Sequence, residues 1–448
     1  MRDPVLLLLL LGACLWTLRR PWVGAITWTV VSLGSPHVAF GWAAADWPVA
    51  TAVAVCTLVG ILLTTDRDNP FAGPAPLALL ALTAWFCITL PFSFDLEQSL
   101  PLWERSMKIF LMLFVTMALL NTRKKLDVFI WSMVISIGYF GVKGGLFTLA
   151  TGGNYRIWGP GGFIGGNNEL ALALIMTIPM MRYLQLQSPN KWIRRGLVCA
   201  MALSAIAAIG TYSRGALLGM TSMLLFFVWR SDRKLVWATA IVVFAVLLLP
   251  LMPDTWWDRM GTIRTYGEDN SAQGRLTAWS MAWNLAQDRL LGGGFMVALP
   301  FVYAIYAPEA TTSLVAHSIY FQLMGEHGFI GLFLFLLVGV LTWLDAARLR
   351  RTYAGNADLK WAADLGSMMQ VSMIGFAVTG AFLSLAYFDL PYNVMAVSCL
   401  ALRIASRAAA QGSAARPVES ALGPQHEPSP EQGRYNRAAA HESATVRP

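Results

Sequence analysis

Long apolar runs dominate the sequence, and their length constrains the fold more than any other feature. A transmembrane helix needs roughly twenty consecutive apolar residues, and 12 runs come close to that length or exceed it. Only 13% of the 448 residues are charged and 56% are hydrophobic, whereas soluble domains contain about 25% charged residues. The sequence therefore predicts an all-α, polytopic integral membrane protein with about 12 transmembrane helices, which we place at residues 22–40, 47–64, 76–92, 103–120, 126–149, 168–185, 195–211, 214–230, 235–252, 316–345, 361–385 and 390–408.

Clusters of basic residues between the apolar runs indicate how the chain crosses the membrane. Cytoplasmic loops of membrane proteins carry an excess of Lys and Arg. If Arg19 is cytoplasmic, successive crossings bring four further basic clusters to the same side, at residues 123–125, 191–195, 230–234 and 348–351. The net charge of +8 is thus explained by topology, and we predict no nucleic-acid partner.

The same crossings divide the chain into a membrane domain and a tail. Residues 1–408 form the membrane domain. Within it, a large loop, 253–314, lies on the outer, periplasmic side, together with the segment 150–167 and the turn at Asp389. Residues 409–448 are rich in Ala, Pro, Gly, Glu and Ser and have no hydrophobic period, so we predict a disordered cytoplasmic tail.

The loop 253–314 is polar in an otherwise apolar chain, so chemistry is expected there. Residues 273–290 predict an amphipathic helix that ends at the three glycines 292–294. The apolar residues of this helix recur at spacings of three and four, namely Leu276, Trp279, Trp283, Ala286 and Leu290. A second predicted helix carries His317, with Tyr320, Phe321 and Met324 on its face.

Two arginines are candidates for binding an anion on the outer side. Arg214 interrupts two apolar runs, and an arginine at membrane depth normally faces an interior cavity or an anionic partner. A guanidinium that extends to the outer interface is the alternative. Arg275 lies at the start of the amphipathic helix, where its charge opposes the helix dipole. It is either a solvated first-turn residue or the partner of a bound anion or a nearby acid.

His317 is the candidate for moving a proton, because an imidazole titrates near neutral pH. A histidine at this position can instead be a hydrogen-bonded structural residue. Glu326 lies nine residues further on, half a turn out of phase with His317 on an unbroken helix, so we do not pair the two side chains. We expect His327 to be dispensable for activity.

A glycine-rich outer segment, residues 151–170, contains further polar candidates. It lacks the spacings of nucleotide-binding loops, so a substrate-lining turn is the favoured interpretation. Its predicted ligand contacts are Tyr155, Arg156 and Asn168, and we also assign Asp389 in the last outer turn to substrate binding. The five cysteines lie in apolar runs without metal-ligand spacing, and we predict neither a disulfide framework nor a metal site.

Three motifs, taken in order, are similar to those of a known superfamily. They are SRG at 213–215, GRLTAWSMAWNLAQDRLLGGGF at 274–295 and HSIYFQLMGEHGFIGL at 317–332. With these motifs the chain resembles the O-antigen ligase and polymerase superfamily over about residues 1–405. The run GGLFTLATGGNYRIWGP, at 144–160, more closely resembles one branch, the O-glycosylation ligases associated with exosortase systems.

This resemblance implies a glycosyltransferase of the bacterial inner membrane that works among membrane lipids without a metal ion or another cofactor. It implies transfer of a glycan from an undecaprenyl diphosphate carrier to an acceptor hydroxyl on the periplasmic side, where the acceptor is lipid A core, a polysaccharide or a protein. By motif, Arg214 and Arg275 would bind the diphosphate and His317 would activate the acceptor, with inversion of the anomeric carbon. Glu326 also matches a family position and is grouped with the substrate-binding residues, although its helical phase favours a structural role.

Three alternatives stay open at this point. A polysaccharide polymerase would use the same groups to extend a lipid-linked chain. A protein O-oligosaccharyltransferase would use them with a protein acceptor. A transporter or flippase would also have many spans, but it predicts internal repeats or paired broken helices, and the sequence shows no such symmetry.

Overall fold

The computed structural model describes residues 2–40, 47–262 and 270–414, and the regular structure in this part of the chain is helical. The chain divides into one unit, Met1–Ala405, which contains every candidate site residue, and a second unit, Ser406–Pro448. From residue 415 onward the predicted tail lies outside the described residues. The α-helices are α1 (Arg2–Arg19), α2 (Pro21–Gly34), α3 (Pro36–Phe40), α4 (Val49–Leu63), α5 (Pro74–Thr89), α6 (Leu96–Leu119), α7 (Arg123–Ala150), α8 (Asn167–Gln187), α9 (Lys191–Gly210), α10 (Arg214–Arg230), α11 (Lys234–Leu248), α12 (Asp254–Gly261), α13 (Asn270–Asp288), α14 (Pro300–Tyr306), α15 (Ile319–Tyr353), α16 (Lys360–Gly380) and α17 (Asp389–Ala414).

Every predicted span coincides with helical structure, which confirms the polytopic helical class. By length and composition, seven helical segments of the described residues are suited to cross a membrane, and they include α5, α7, α8, α9, α11, α15 and α17. The helices α2, α4 and α10 have only 14, 15 and 17 residues, and a helix of 17 residues is about 25 Å long. The count of about 12 spans therefore stays a prediction.

Small residues allow the central helices α7 and α9 to pack closely. A Cβ built on Gly141 would lie 3.0 Å from the Cβ of Ser204, and one built on Gly145 would lie 2.8 Å from the Cα of Leu203. Membrane helices associate through such close approach, because lipid is as apolar as a leucine side chain and drives no hydrophobic collapse. The contact fixes the ends of α7 and α9, from which two segments of the candidate site continue.

Polar contacts bring several of the basic clusters to one end of the helix bundle. A guanidinium nitrogen of Arg123 donates to Gln187 Oε1 at 3.2 Å, and Gln187 Nε2 donates to Asp364 Oδ2 at 3.0 Å. Arg230 donates to Gln370 Oε1 at 3.2 Å. The starts of α7 and α16 and the end of α8 therefore lie at the same end, and the end of α10 packs beside the middle of α16.

The loop 253–314 begins at the opposite end and contains α12, α13 and α14. Its first helix is held against the end of α9, because Trp256 Nε1 donates to the carbonyl oxygen of Ile209 at 3.1 Å. The turn between α9 and α10 is held in the same way, since the Tyr212 hydroxyl donates to the carbonyl oxygen of Gly153 at 2.6 Å. These contacts position the residues that follow each helix.

The amphipathic helix predicted in this loop exists as α13, but its packed face differs from the predicted one. The side chains that it buries are Ala278, Met281, Ala282, Leu285 and Ala286. Of the predicted stripe, Leu276, Trp283 and Leu290 are exposed. Small residues permit close helix packing, whereas large apolar residues of a membrane protein can also face lipid. The spacing therefore predicted the helix correctly, but of its predicted apolar face only Ala286 is buried.

The helix α15 is interrupted at Gly328, whose φ of 69° and ψ of −175° are not helical. The carbonyl groups before the interruption accept hydrogen bonds from outside the helix. Gly293 N donates to the oxygen of Gly325 at 3.0 Å, and Gly294 N donates to the oxygen of Glu326 at 2.8 Å. A backbone carbonyl buried without a partner is costly. The glycine segment 292–294 thus stabilises the interrupted helix at the level of the candidate site.

Candidate active site

His317 lies just before α15 and is not part of it. The helix begins at Ile319 with Ser318 as its N-cap, so the prediction that the helix carries His317 is wrong by two residues. The backbone of His317 has a φ of 44°, a left-handed conformation that cannot continue a right-handed helix. Such a conformation costs a non-glycine residue about 1–3 kcal/mol and clusters at functional sites.

Two aromatic residues of the loop hold the segment that precedes α15. Trp279 Nε1 donates to the carbonyl oxygen of Ala316 at 2.7 Å, and the Tyr303 hydroxyl donates to that of Leu314 at 2.5 Å. The Trp279 ring is also stacked on Phe321, with the ring centroids 4.8 Å apart and the planes 4° from parallel. These contacts maintain the strained backbone at the position of the histidine.

Arg275 acts on His317 from the neighbouring helix α13. It lies one turn before Trp279 and therefore on the same face of α13. Burial, and secondly the positive charge of Arg275, lower the pKa of His317 below its ordinary value. The imidazole is accordingly neutral at neutral pH, which is the form that can accept a proton.

Arg214 is the first residue of α10, directly after the N-cap Ser213, whose hydroxyl accepts a hydrogen bond from Ala216 N at 3.2 Å. Its Nη1 donates to Thr262 Oγ1 at 2.6 Å. The side chain is half-buried. The positive end of the α10 dipole and the guanidinium therefore lie together, an arrangement that favours a bound anion.

The turn formed by residues 381–388 contacts both halves of the candidate site. A Cβ built on Gly215 would lie 3.0 Å from the Cβ of Phe382. A few residues later, Ala386 N donates to Gln322 Oε1 at 3.2 Å. The start of α10 and the start of α15, which hold two of the predicted catalytic groups, therefore flank the same short turn.

Behind His317, four side chains form a buried chain of hydrogen bonds. The Tyr387 hydroxyl donates to Glu326 Oε2, and the same hydroxyl oxygen lies 2.7 Å from His327 Nε2. On the other side of the ring, His327 Nδ1 lies 2.7 Å from Thr89 Oγ1. Because Tyr387 has a single O–H and gives it to Glu326, His327 donates from Nε2 and accepts at Nδ1. The four residues thus form one directed series that ends at the Glu326 carboxylate.

Aromatic rings enclose the imidazole of His327. The ring centroid lies 4.3 Å from that of Phe86 and 4.7 Å from that of Phe295. The histidine itself is fully buried, and its carbonyl oxygen accepts a hydrogen bond from Trp85 Nε1 at 2.9 Å. The expectation that His327 is dispensable does not fit this environment, because its removal would leave buried polar partners unsatisfied.

A cavity of about 220 Å³ opens beside these groups. Ala316, the residue before His317, forms part of its wall, and Glu326 and Tyr387 form another part. The remaining polar side chains that line it are those of Gln98, Gln322 and Ser384. The strained histidine segment and the buried hydrogen-bonded series therefore border a common space.

The other predicted substrate contacts lie around the outer ends of the helices. Tyr155 is 64% exposed. The guanidinium of Arg156 lies over the Tyr212 ring, 5.6 Å from its centroid, and Asn168 is half-buried in the first turn of α8. Asp389 is buried and accepts a hydrogen bond from the Ser32 hydroxyl at 2.5 Å. None of these four residues is among those that line the cavity, and their roles stay predictions.

Comparison with protein families identifies the region that holds these groups. Residues 199–336 match the family model of O-antigen ligases. This match supports a relationship to the O-antigen ligase superfamily over that region. Arg214, Arg275, His317 and Glu326 all fall within the matched region, so the resemblance to this superfamily is confirmed, whereas the exosortase-associated branch stays a prediction.

The rest of the chain is less informative in these comparisons. Residues 1–188 match the model of a family of unknown function. No curated protein matches the chain. The N-terminal match includes α5, which supplies Thr89 and Phe86 next to His327, so residues outside the region matched by the O-antigen ligase model contribute to the same site.

Sequence reasoning missed the partners of Glu326. Tyr387 lies 61 positions after Glu326. Thr89, which contacts the neighbouring His327, lies 238 positions before that histidine. No local period connects these residues. One available signal was the spacing of Gly325 and Gly328 around Glu326 and His327, because two glycines within a helical pattern mark a place where another backbone can approach.

Proposed function

We propose that the protein is a bacterial inner-membrane glycan ligase that transfers an oligo- or polysaccharide from undecaprenyl diphosphate to an acceptor hydroxyl on the periplasmic side. The observation that carries the proposal is a strained, neutral histidine next to a cavity wall, with the charge of Arg275 acting on it, within the region that matches the O-antigen ligase model. In this proposal the histidine accepts the proton of the acceptor hydroxyl, and the arginine binds the negatively charged donor.

The two arginines bind and stabilise the leaving group. Undecaprenyl diphosphate departs with negative charge, and groups positioned where charge develops stabilise the transition state. A guanidinium can bind two phosphate oxygens at once. Arg275 beside His317 and Arg214 at the start of α10 therefore hold the diphosphate in this proposal, and no metal ion is needed to neutralise it.

His317 activates the acceptor hydroxyl. The acceptor hydroxyl loses its proton to the neutral imidazole while its oxygen forms a bond to the anomeric carbon. The bond between that carbon and the phosphate oxygen breaks, and undecaprenyl diphosphate leaves with the bonding electron pair. A single displacement of this kind inverts the anomeric carbon. The proton then passes from the imidazolium to solvent or to the released diphosphate.

The test is glycan transfer by the purified protein in lipid vesicles, with undecaprenyl-diphosphate-linked glycan from the producing cell as donor. We expect His317→Ala to bind the donor normally but to transfer glycan at least about a hundredfold more slowly, as is typical for loss of a general base. Near-normal transfer by His317→Ala would refute the base assignment.

The arginines are tested in the same assay. Arg214→Lys and Arg275→Lys are expected to lose most activity, because a point charge cannot reproduce the guanidinium fork. Arg195→Lys, which alters an exposed arginine in the first turns of α9, is the matched control and should transfer normally. Wild-type transfer should persist in excess chelator. Transfer that requires magnesium would contradict the metal-independent mechanism.

The acceptor separates the proposed ligase from its closest relatives. Lipid A core, lipid-linked glycan and a protein substrate are offered in separate reactions. Transfer to lipid A core supports the ligase, while exclusive transfer to lipid-linked glycan or to protein would replace it with a polymerase or a protein O-oligosaccharyltransferase. Movement of donor across the vesicle membrane without any transfer would indicate a flippase.

A further inference from the structure

The cavity beside His317 is lined mainly by apolar residues, together with a few polar and aromatic side chains and no cation. Among the described residues that form its wall there is no Arg, Lys or His, and Glu326 is the one acidic residue. A diphosphate bound there would face a carboxyl group without a compensating charge, which is unfavourable in a protein interior. The cavity is therefore suited to an uncharged part of a substrate.

The Glu326 carboxyl group keeps hydrogen-bonding capacity for a ligand in this cavity. It accepts from the Tyr387 hydroxyl, from Met296 N at 3.3 Å and from the side chain of Gln322. A carboxyl group has about four hydrogen-bonding positions, and these three contacts leave one of them. Because Glu326 lines the cavity, we infer that the remaining position is available to a ligand there.

A second wall of the cavity supplies a hydroxyl group that is not used inside the protein. The Oγ of Ser384 is buried and has no hydrogen-bond partner within the described residues. A buried hydroxyl without a partner costs free energy, and a ligand hydroxyl would remove that cost. The rings of Phe163 and Phe321 also border the cavity, and aromatic faces pack against the C–H surface of a sugar ring.

We propose that this cavity binds a single sugar ring of the substrate, with Glu326 and Ser384 hydrogen-bonded to its hydroxyl groups. Pockets for whole small molecules measure about 300–1,000 Å³, so a cavity of about 220 Å³ fits one ring-sized group. The inference rests on the proposed function in that the ring is the terminal sugar of the acceptor or the sugar next to the diphosphate of the donor. Ala316 in the cavity wall places either ring next to His317.

Binding is tested without any transfer reaction. Ser384→Cys is made in a chain whose five native cysteines are replaced by serine, and its alkylation by a small charged thiol reagent is timed. Glucose, galactose, mannose, rhamnose and N-acetylglucosamine are added singly at high concentration. At least one sugar should slow the alkylation several-fold and should leave Ala304→Cys, on the exposed face of α14, unaffected. Equal rates with every sugar would overturn the proposal.

Kinetics then identify which substrate supplies the ring. Ser384→Ala and Glu326→Gln should each raise KM for one substrate by several-fold up to about tenfold, the range expected for one lost hydrogen bond. A raised KM for the acceptor shows that the cavity binds the acceptor sugar. A raised KM for the donor shows that it binds the donor sugar. If the KM for both substrates is unchanged, the sugar site is refuted. Glycan transfer by these variants would still support the ligase. Sugar protection in a protein that transfers no glycan would refute the ligase and leave the sugar site standing.

A cavity-filling pair provides the matched control. Ala298→Leu enlarges a residue of the cavity wall, and Ala304→Leu makes the same change on the exposed face of α14. We expect the first variant to abolish sugar protection of Ser384→Cys and the second to preserve it. Intact protection in Ala298→Leu would place the sugar elsewhere and contradict the assignment to this cavity.

Discussion

At the scale of single residues, the proximity of Arg275 to His317 predicts a shift in the pH profile. His317 must be neutral to accept a proton, so kcat/KM falls as the pH drops through its lowered pKa. Burial and the charge of Arg275 cause the lowering. Removal of that charge in Arg275→Gln should therefore raise the pKa and move the acidic limb of the profile to higher pH.

Arg275→Lys is the control that separates this electrostatic effect from the loss of diphosphate binding. Both variants should transfer slowly, because neither has the guanidinium fork. Only the glutamine variant loses the charge, so only its acidic limb should move. The measurement is the initial transfer rate at limiting substrate across the acidic and neutral range. An acidic limb that is unchanged in Arg275→Gln would show that another group titrates.

The sequence identified some site residues and missed others for a physical reason. His317 and Arg214 are polar residues next to apolar runs, and such residues are rare enough in membrane proteins to stand out, while Arg275 stands out because it belongs to the large polar loop of an apolar chain. Thr89 in α5 and Tyr387 in the turn before α17 do not stand out, since hydroxyl-bearing residues are ordinary in and beside apolar helices. Their part in the site follows only from the tertiary contacts to His327, which no spacing in the sequence predicts.

At the scale of the elements, the interruption of α15 predicts unequal effects of two glycine substitutions. Gly294 has a φ of 78° and supports the carbonyl group of Glu326, and a Cβ there would collide with Ser93. Gly294→Ala should lower the unfolding temperature and reduce transfer, since strained positive φ alone costs about 1–3 kcal/mol. Thermal unfolding in detergent and the transfer assay are the measurements.

Gly339→Ala is the matched control, because this glycine lies in α15 with nothing within 4 Å of a built Cβ. Alanine in an exposed helix interior stabilises by about 0.8–1 kcal/mol relative to glycine, so the variant should unfold at the same or a higher temperature. If Gly294→Ala were as stable and as active as Gly339→Ala, the glycine segment would not be needed to support the interrupted helix.

Helix positions were predictable from the sequence because the period and length of apolar runs reflect the backbone geometry directly. The buried face of α13 and the interruption of α15 were not. Both depend on what lies opposite the helix: Ala282 packs where Gly325 permits close approach, and Gly293 reaches the carbonyl group of Gly325. The predicted phase between His317 and Glu326 does not apply, because α15 begins at Ile319 and His317 therefore lies outside the helix.

At the scale of the whole molecule, the ends of the bundle were predictable and the number of crossings was not. Cytoplasmic loops of membrane proteins are rich in Lys and Arg, which predicts that the basic clusters share one end, and the contact between Arg123 and Gln187 brings the start of α7 to the end of α8. A helix of 17 residues such as α10 is too short to be assigned by length alone. Its crossing depends on local bilayer thickness and on neighbouring helices.

The orientation of the bundle is tested by the accessibility of four single cysteines placed at exposed positions. Asn154→Cys and Glu309→Cys lie beyond the ends of α7 and α14 on the side of the candidate site, and Lys124→Cys and Arg351→Cys lie at the opposite ends of α7 and α15. The positive-inside distribution places the second pair in the cytoplasm. In intact cells, a membrane-impermeant thiol reagent should therefore label the first pair, and the second pair should react only after permeabilisation. The reverse pattern would put the site in the cytoplasm and exclude a periplasmic ligase. If only one of Asn154→Cys and Glu309→Cys is labelled, the chain crosses the membrane an odd number of times between these two positions.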